Sequence, residues 1–258
     1  SALEVFLTEL TAMAAFPLML PGTSRPPKLV VFDLDHTLIA CDATILWTEF
    51  LYEKKIVTDP IWRQYDRDMV KSYAKGVLDI RDFCRKHAGA FRSIPEEKLH
   101  ALAQEFAKKK IAPLIFPDGK KWVKNALQAN IPACVLSASA AFIVKPIAKL
   151  FGLTDAMGIE LAFKDGFCTG EIVGIPTFQE GKVERLSQRL TEAGIGFEDV
   201  LFFTDSNVPW WDSFTTALSV VALWMLAHKY VEQWLVWIVI DVACCGIYVY
   251  KGLYFTAF

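Results

Sequence analysis

Two carboxylates two residues apart, Asp33 and Asp35, close the apolar run Leu29-Val30-Val31-Phe32. The run is short, β-branched and aromatic, so it reads as a buried strand, and the acids come where that strand should end. In open α/β sheets ligands sit outside the carboxyl ends of the strands, so both acids are expected to face one crevice. Carboxylates that close repel each other unless something positive stands between them. A hard divalent cation such as Mg2+, together with a phosphate, is the usual answer. The competing reading is a strand followed by an Asp-rich turn with no chemistry.

Three further residues stand at comparable places. Ile131 to Ser137 reads as a second buried strand ending in a hydroxyl, with Ser137-Ala138-Ser139 opening a helical stretch in which Pro146 suits a first turn and Gly152 suits the end. A hydroxyl and free backbone N–H groups at a strand-to-helix turn can cradle phosphate, although many strands end in Ser without doing so. Lys182 lies in the first turn of an expected helix with Val183, Leu186, Leu190 and Ala193 on one face and Gly194 as its stop. A cation there opposes the helix dipole, so Lys182 reads either as a charge aimed at a site or as a solvated surface lysine. Asp205 follows the apolar run Val200-Leu201-Phe202-Phe203 as Asp33 follows its own, and is expected at the same crevice.

The elements that must position these residues alternate between strand and helix. Pro21-Gly22-Thr23-Ser24-Arg25-Pro26-Pro27 is a linker after a short N-terminal helix. Ala43 to Lys110 reads as amphipathic helices inserted between the first two strands; one begins at a capping box, Ser93-Ile94-Pro95-Glu96, and buries Leu99, Leu102, Ala103 and Phe106. Lys108-Lys109-Lys110 reads as a solvated helix end. His87 and His100 have no partner pattern and are expected at the surface. Residues 158 to 174 read as a β-hairpin turning at Lys164-Asp165-Gly166.

At 258 residues the chain can hold one α/β domain with a substantial insertion. A net charge of -2 argues against a general nucleic-acid binder. The 53% hydrophobic content and mean hydropathy of +0.31 are high for a soluble enzyme, and the excess sits in the last fifty or so residues. Six cysteines without metal-ligand spacing read as reduced thiols of a cytoplasmic protein.

Phe32-Asp33-Leu34-Asp35-His36-Thr37-Leu38 resembles the first motif of the haloacid dehalogenase superfamily, and the pattern from about Lys28 to Ser206 is similar to its subfamily IB, the phosphoserine-phosphatase-like hydrolases. The resemblance implies a Rossmann-type parallel sheet with a helical C1 cap, acting as a Mg2+-dependent phosphatase on a small phosphorylated metabolite. Asp33 would be the nucleophile and Asp35 the acid and base. Ser137 and Lys182 would hold the phosphoryl oxygens. The metal would lie on Asp33, the Asp35 carbonyl and Asp205. The family pattern then runs Asp-Ser-x-Asn-Asp, whereas this chain has Val208 and Pro209 in the last two places, so a second acid is absent there and Asp212 comes three residues late.

From Phe214 to Ala227 and from Trp234 to Tyr250 the chain is apolar with few charges, in lengths of about 14 and 17 residues where a bilayer-spanning helix takes roughly 17 to 25. This is expected to form an apolar helical hairpin at a membrane or, alternatively, two core segments. Trp210-Trp211-Asp212, Trp234-Leu235-Val236-Trp237 and Tyr250-Lys251-Gly252-Leu253-Tyr254 resemble the end of PnuC-type nicotinamide riboside transporters, which implies Trp234 and Trp237 as ligand contacts. The expected domains are thus 1–27, a helix and linker; 28–42 with 112–206, the catalytic core; 43–111, the cap; and 207–258, a segment that would attach the protein to the inner membrane. The alternative function is a transport-related fusion with an inactive phosphatase-like part.

Overall fold

The computed structural model describes residues 18–20 and 23–204. By its internal contacts the chain divides into Ser1–Phe203 and Thr204–Phe258. The expected N-terminal helix, Asp205, Trp234, Trp237 and the apolar hairpin lie outside the described residues.

Four parallel strands form the central sheet: β1 (Leu29–Phe32), β2 (Ala133–Ala140), β3 (Asp155–Ile159) and β6 (Val200–Phe203), in the order β3-β2-β1-β6. β1 lies between β2 and β6 and is completely buried, because its apolar residues serve both faces of the sheet. Val30 and Phe32 join the larger core beneath the helical insertion, whereas Leu29 and Val31 pack with Leu186 and Leu190 of the helix on the other face. The two-residue period of a strand makes that division, and it fixes which way the chain leaves β1.

Between β1 and β2 lie α1 (Ala43–Glu53), α2 (Ile61–Ala74), α3 (Ile80–His87), α4 (Glu96–Phe106) and α5 (Pro117–Gln128). Trp47 of α1 is fully buried and packs edge-on against Phe106 and Phe142, with ring centroids 5.4 and 5.6 Å away. This cluster ties the insertion to α6 (Ala141–Leu150), which follows β2. The hairpin β4 (Leu161–Lys164) and β5 (Phe167–Ile172) comes next, and α7 (Glu180–Ala193) precedes β6.

Several expectations are corrected. The helix containing Leu99 starts at Glu96 after Pro95, and Ser93 makes no cap; the Glu96 N–H is taken by the Gly166 carbonyl at 2.8 Å, so the hairpin supplies what the capping box was expected to supply. β2 runs three residues past Ser137, and Pro146 is interior to α6 rather than in its first turn. Val183 and Ala193 of α7 are exposed, leaving Leu186 and Leu190 as its buried contacts. His87 is not a surface residue. It is 6% exposed and bonds Thr48 Oγ1 at 2.9 Å, with Asp66 Oδ1 at 3.6 Å. The hairpin turn is as expected, with Asp165 and Gly166 both at positive φ, and Gly194 ends α7 in the left-handed conformation.

Candidate active site

The chain leaves β1 through a tight arch. The Leu34 carbonyl accepts from the N–H groups of Thr37, Leu38 and Ile39, and His36 takes a positive φ of 59° at the crest. The arch leaves Asp33 at the strand edge, its N–H bonded to the Phe203 carbonyl of β6 at 2.9 Å, and turns Asp35 toward β2.

Lys182 reaches Asp33 from α7, its Nζ 3.1 Å from each carboxylate oxygen. The Leu34 N–H donates to Oδ1 at 2.9 Å. The position of Lys182 depends on how α7 begins. Gln179 has a positive φ, and a Cβ at Gly181 would run into the Pro176 carbonyl oxygen, so only glycine lets the first turn sit on that loop. The dipole misfit of Lys182 is thus offset by an ion pair across the crevice.

Asp35 is enclosed. Its Oδ1 accepts from Ala43 N–H at the start of α1 at 2.7 Å, and its Oδ2 from Ser137 Oγ at 3.1 Å and Ser139 Oγ at 3.3 Å. Ser139 Oγ is also 3.0 Å from Thr44 Oγ1. The Asp35 carboxyl is pushed up to about 6, first by burial and then by the negative charges of Asp42 and Asp33, against the donors from Ala43 and Ser137. Behind Ser137, the fully buried Thr177 donates its hydroxyl to the Ser137 carbonyl at 2.5 Å.

Four of the candidate residues, Asp33, Asp35, Ser137 and Lys182, therefore meet at the carboxyl ends of β1 and β2, from positions up to about 150 apart in the chain. Ser139, Thr44, Ala43 and Thr177 belong to the same arrangement and were not expected. The Ser-x-Ser spacing in a strand could have pointed to Ser139, since alternate residues share a face. Nothing local marks the other three.

The oxygen donors here are hard, with the Asp33 carboxylate at the strand end and Asp35 beside it. That donor set fits Mg2+, which commonly takes one or two carboxylates and completes its octahedron with water and phosphate. Among the described residues no three His, Cys, Asp or Glu side chains are grouped to hold a metal. The thiols of Cys41, Cys84 and Cys134 are each pushed up to about 12, chiefly by burial, and are not available as nucleophiles. A cavity of about 350 Å³ opens between α1 and α2, lined by Ile45 and Glu49 from α1 and by Arg63, Asp66, Arg67, Val70 and Lys71 from α2, and none of the four site residues lines it.

Residues 30–208 match the haloacid dehalogenase-like hydrolase family. A histidinol-phosphatase of Neisseria meningitidis is 32% identical over 70% of this chain and 83% of its own length. A crystal structure of a Bordetella pertussis protein of unknown function is similar at 31% identity with a TM-score of 0.60, covering 67% of this chain and 78% of the other. Separately, 46 residues are 44% identical to the nicotinamide riboside transporter PnuC of Escherichia coli, covering 18% of this chain and 19% of that protein.

Proposed function

Since the chain belongs to the haloacid dehalogenase-like hydrolase family and is an enzyme of the phosphatase kind, we propose that it hydrolyses a small phosphomonoester through an aspartyl-phosphate on Asp33. The observation that carries this reading is the pairing of a strand-end carboxylate held by a lysine, Asp33 with Lys182, beside a second carboxyl, Asp35, pushed up to about 6. Two acids with different environments take different roles. Asp33 remains the carboxylate that attacks, and Asp35 carries the proton that leaves.

In the first half-reaction an Asp33 oxygen forms a bond to phosphorus as the ester P–O bond breaks, and the Asp35 proton passes to the departing oxygen. Lys182 Nζ and Ser137 Oγ take the phosphoryl oxygens. In the second, the Asp35 carboxylate takes a proton from water, whose oxygen attacks phosphorus and frees Asp33 and inorganic phosphate. Asp33 and the Asp35 carbonyl would hold Mg2+, joined by Asp205; when bound, the ion offsets the charge of the transferring group.

The 32% identity to a histidinol-phosphatase supports an amino-alcohol phosphate as substrate, with histidinol phosphate the first to test. The α1 to α4 insertion is then the cap that selects the leaving group. The test compares kcat/KM for histidinol phosphate, phosphoserine and p-nitrophenyl phosphate with Mg2+ present. A clear preference for histidinol phosphate is expected, and equal turnover of all three would remove the substrate reading. Absence of an acid-stable, hydroxylamine-sensitive phosphoenzyme would remove Asp33 from its role.

A further inference from the structure

We propose that Ser139 and Thr44 are positioning residues that tie both oxygens of Asp35 to the first turn of α1, and so aim the proton donor from the helical insertion. The proposal rests on the reading of Asp35 as the acid. Ala43 and Thr44 are the first two residues of α1. Ala43 N–H holds Oδ1 directly at 2.7 Å, and Thr44 reaches Oδ2 through Ser139, by contacts of 3.0 and 3.3 Å. The carboxyl is therefore held at both ends by one helix turn, once directly and once through a strand.

Ser137 shares Oδ2 with Ser139, but in the proposed reaction its hydroxyl turns to a phosphoryl oxygen. Ser139 is then the remaining hydroxyl on Oδ2 among the described residues. Its chemistry suits the duty. A hydroxyl can donate to a carboxylate and accept from a carboxylic acid, so Ser139 can face Asp35 both before and after the proton is given up, while the Ala43 N–H can only donate. Thr44 Oγ1 receives or supplies the other hydrogen bond of Ser139 in each case. Ser139 is 3% exposed, so water does not readily take its place. The approach of β3 closes the site from behind. A Cβ at Gly158 would stand 2.8 Å from the Ser139 carbonyl oxygen and 2.8 Å from Ala141 Cα, leaving no room for the strand carrying Ser139 to drift toward β3.

The consequence is selective. Protonation of the leaving oxygen matters most for an alkoxide and little for a p-nitrophenolate, which departs without it. Ser139→Ala and Thr44→Val are therefore expected to lower the single-turnover rate of alcohol release from an alkyl phosphate such as glycerol 2-phosphate by about 10- to 100-fold, with the burst of p-nitrophenolate from p-nitrophenyl phosphate changed by less than about 3-fold; this reads the first half-reaction apart from the second, where Asp35 is the base for either ester. Thr44→Ser, which keeps the hydroxyl, should preserve both rates. Equal losses on the two esters, or no loss on either, would overturn the proposal, because a merely structural role does not distinguish leaving groups. If Ser139→Ala fails to fold, Thr44→Val at its half-buried position carries the same comparison. Asp35→Asn separates the two levels of failure. Read in the same first half-reaction, a loss confined to the alkyl ester upholds Asp35 as the acid, so that only the tether is at stake; an equal loss of that step on both esters removes the acid reading, and the tether with it.

Discussion

Asp33 and Lys182 meet at 3.1 Å, and the strand-end anion offsets a cation that the helix start disfavours. Asp33→Asn keeps the volume and removes the nucleophile, so phosphatase activity should fall to background with the melting temperature little changed; residual turnover above a few per cent of the parent rate would exclude Asp33. A second residue-scale prediction concerns Asp66, 4% exposed with an oxygen lacking a hydrogen-bond partner among the described residues. Burial is the chief reason that its carboxyl rises from an ordinary 3.8 to about 7, and burial likewise lowers His87 to about 4, so the imidazole beside it is neutral over most of this range. Between about pH 4 and 7 the folded state holds a proton on Asp66 that the unfolded state has lost, so this group's contribution to stability falls as pH rises and is fully lost above 7. Asp66→Asn carries no such charge. Its stability relative to the parent should increase by about 1–3 kcal/mol from pH 4 to pH 8, read by denaturant titration at each pH. A constant difference across that range would show that Asp66 is ionised throughout.

At the scale of elements, the site depends on where helices start. α7 begins at Glu180; its second residue, Gly181, is pressed against the Pro176 carbonyl, and the next is Lys182. Gly181→Ala must push that turn outward. A displacement of that order at a reacting group costs roughly 100-fold, so kcat/KM should fall by about 10- to 100-fold while the protein still melts cooperatively. Unchanged kcat/KM would mean that Lys182 reaches Asp33 regardless of the turn. The start of α1 matters in the same way, since the Asp42 side chain accepts from Ile45 N–H at 3.0 Å and holds open the turn whose Ala43 N–H meets Asp35.

For the whole molecule, the catalytic unit and the segment beyond Thr204 pose separate questions. By the resemblance to the family, Asp205 stands at the metal-binding acid, and Val208 and Pro209 stand where the family has Asn and Asp. We propose that the double substitution Val208→Asn, Pro209→Asp raises kcat/KM by about 10- to 100-fold and lowers the Mg2+ concentration needed for half-maximal rate, the usual size of effect when groups around a metal are lost or restored. No gain on rebuilding would mean that Asp212 or another acid already serves. No helix among the described residues is long and apolar enough to cross a membrane. The PnuC-like segment is the candidate for attachment, and the full chain should sediment with membranes while a chain ending at Thr204 should not; recovery of both in the supernatant would remove that reading.

What the sequence by itself determined was whatever local pattern controls. The apolar run before Asp33, the positive-φ turn at Asp165-Gly166 and the glycine stop at Gly194 are properties of a few neighbouring residues, and the parallel sheet follows from strands alternating with helices. Lys182 was legible because it stands where a helix should avoid a cation. The tertiary structure decided everything that joins distant residues. His87 looked solvated, yet Thr48 of α1 and Asp66 of α2 close over it. Ser93 looked like a cap, yet the hairpin satisfies Glu96 instead. Ser139 and Thr44 are ordinary hydroxyls in the sequence, 95 residues apart, and acquire a shared role only when β2 brings them to Asp35. The physical reason is that buried polar groups must find partners somewhere, and which partner is nearest is set by packing, not by the chain around them.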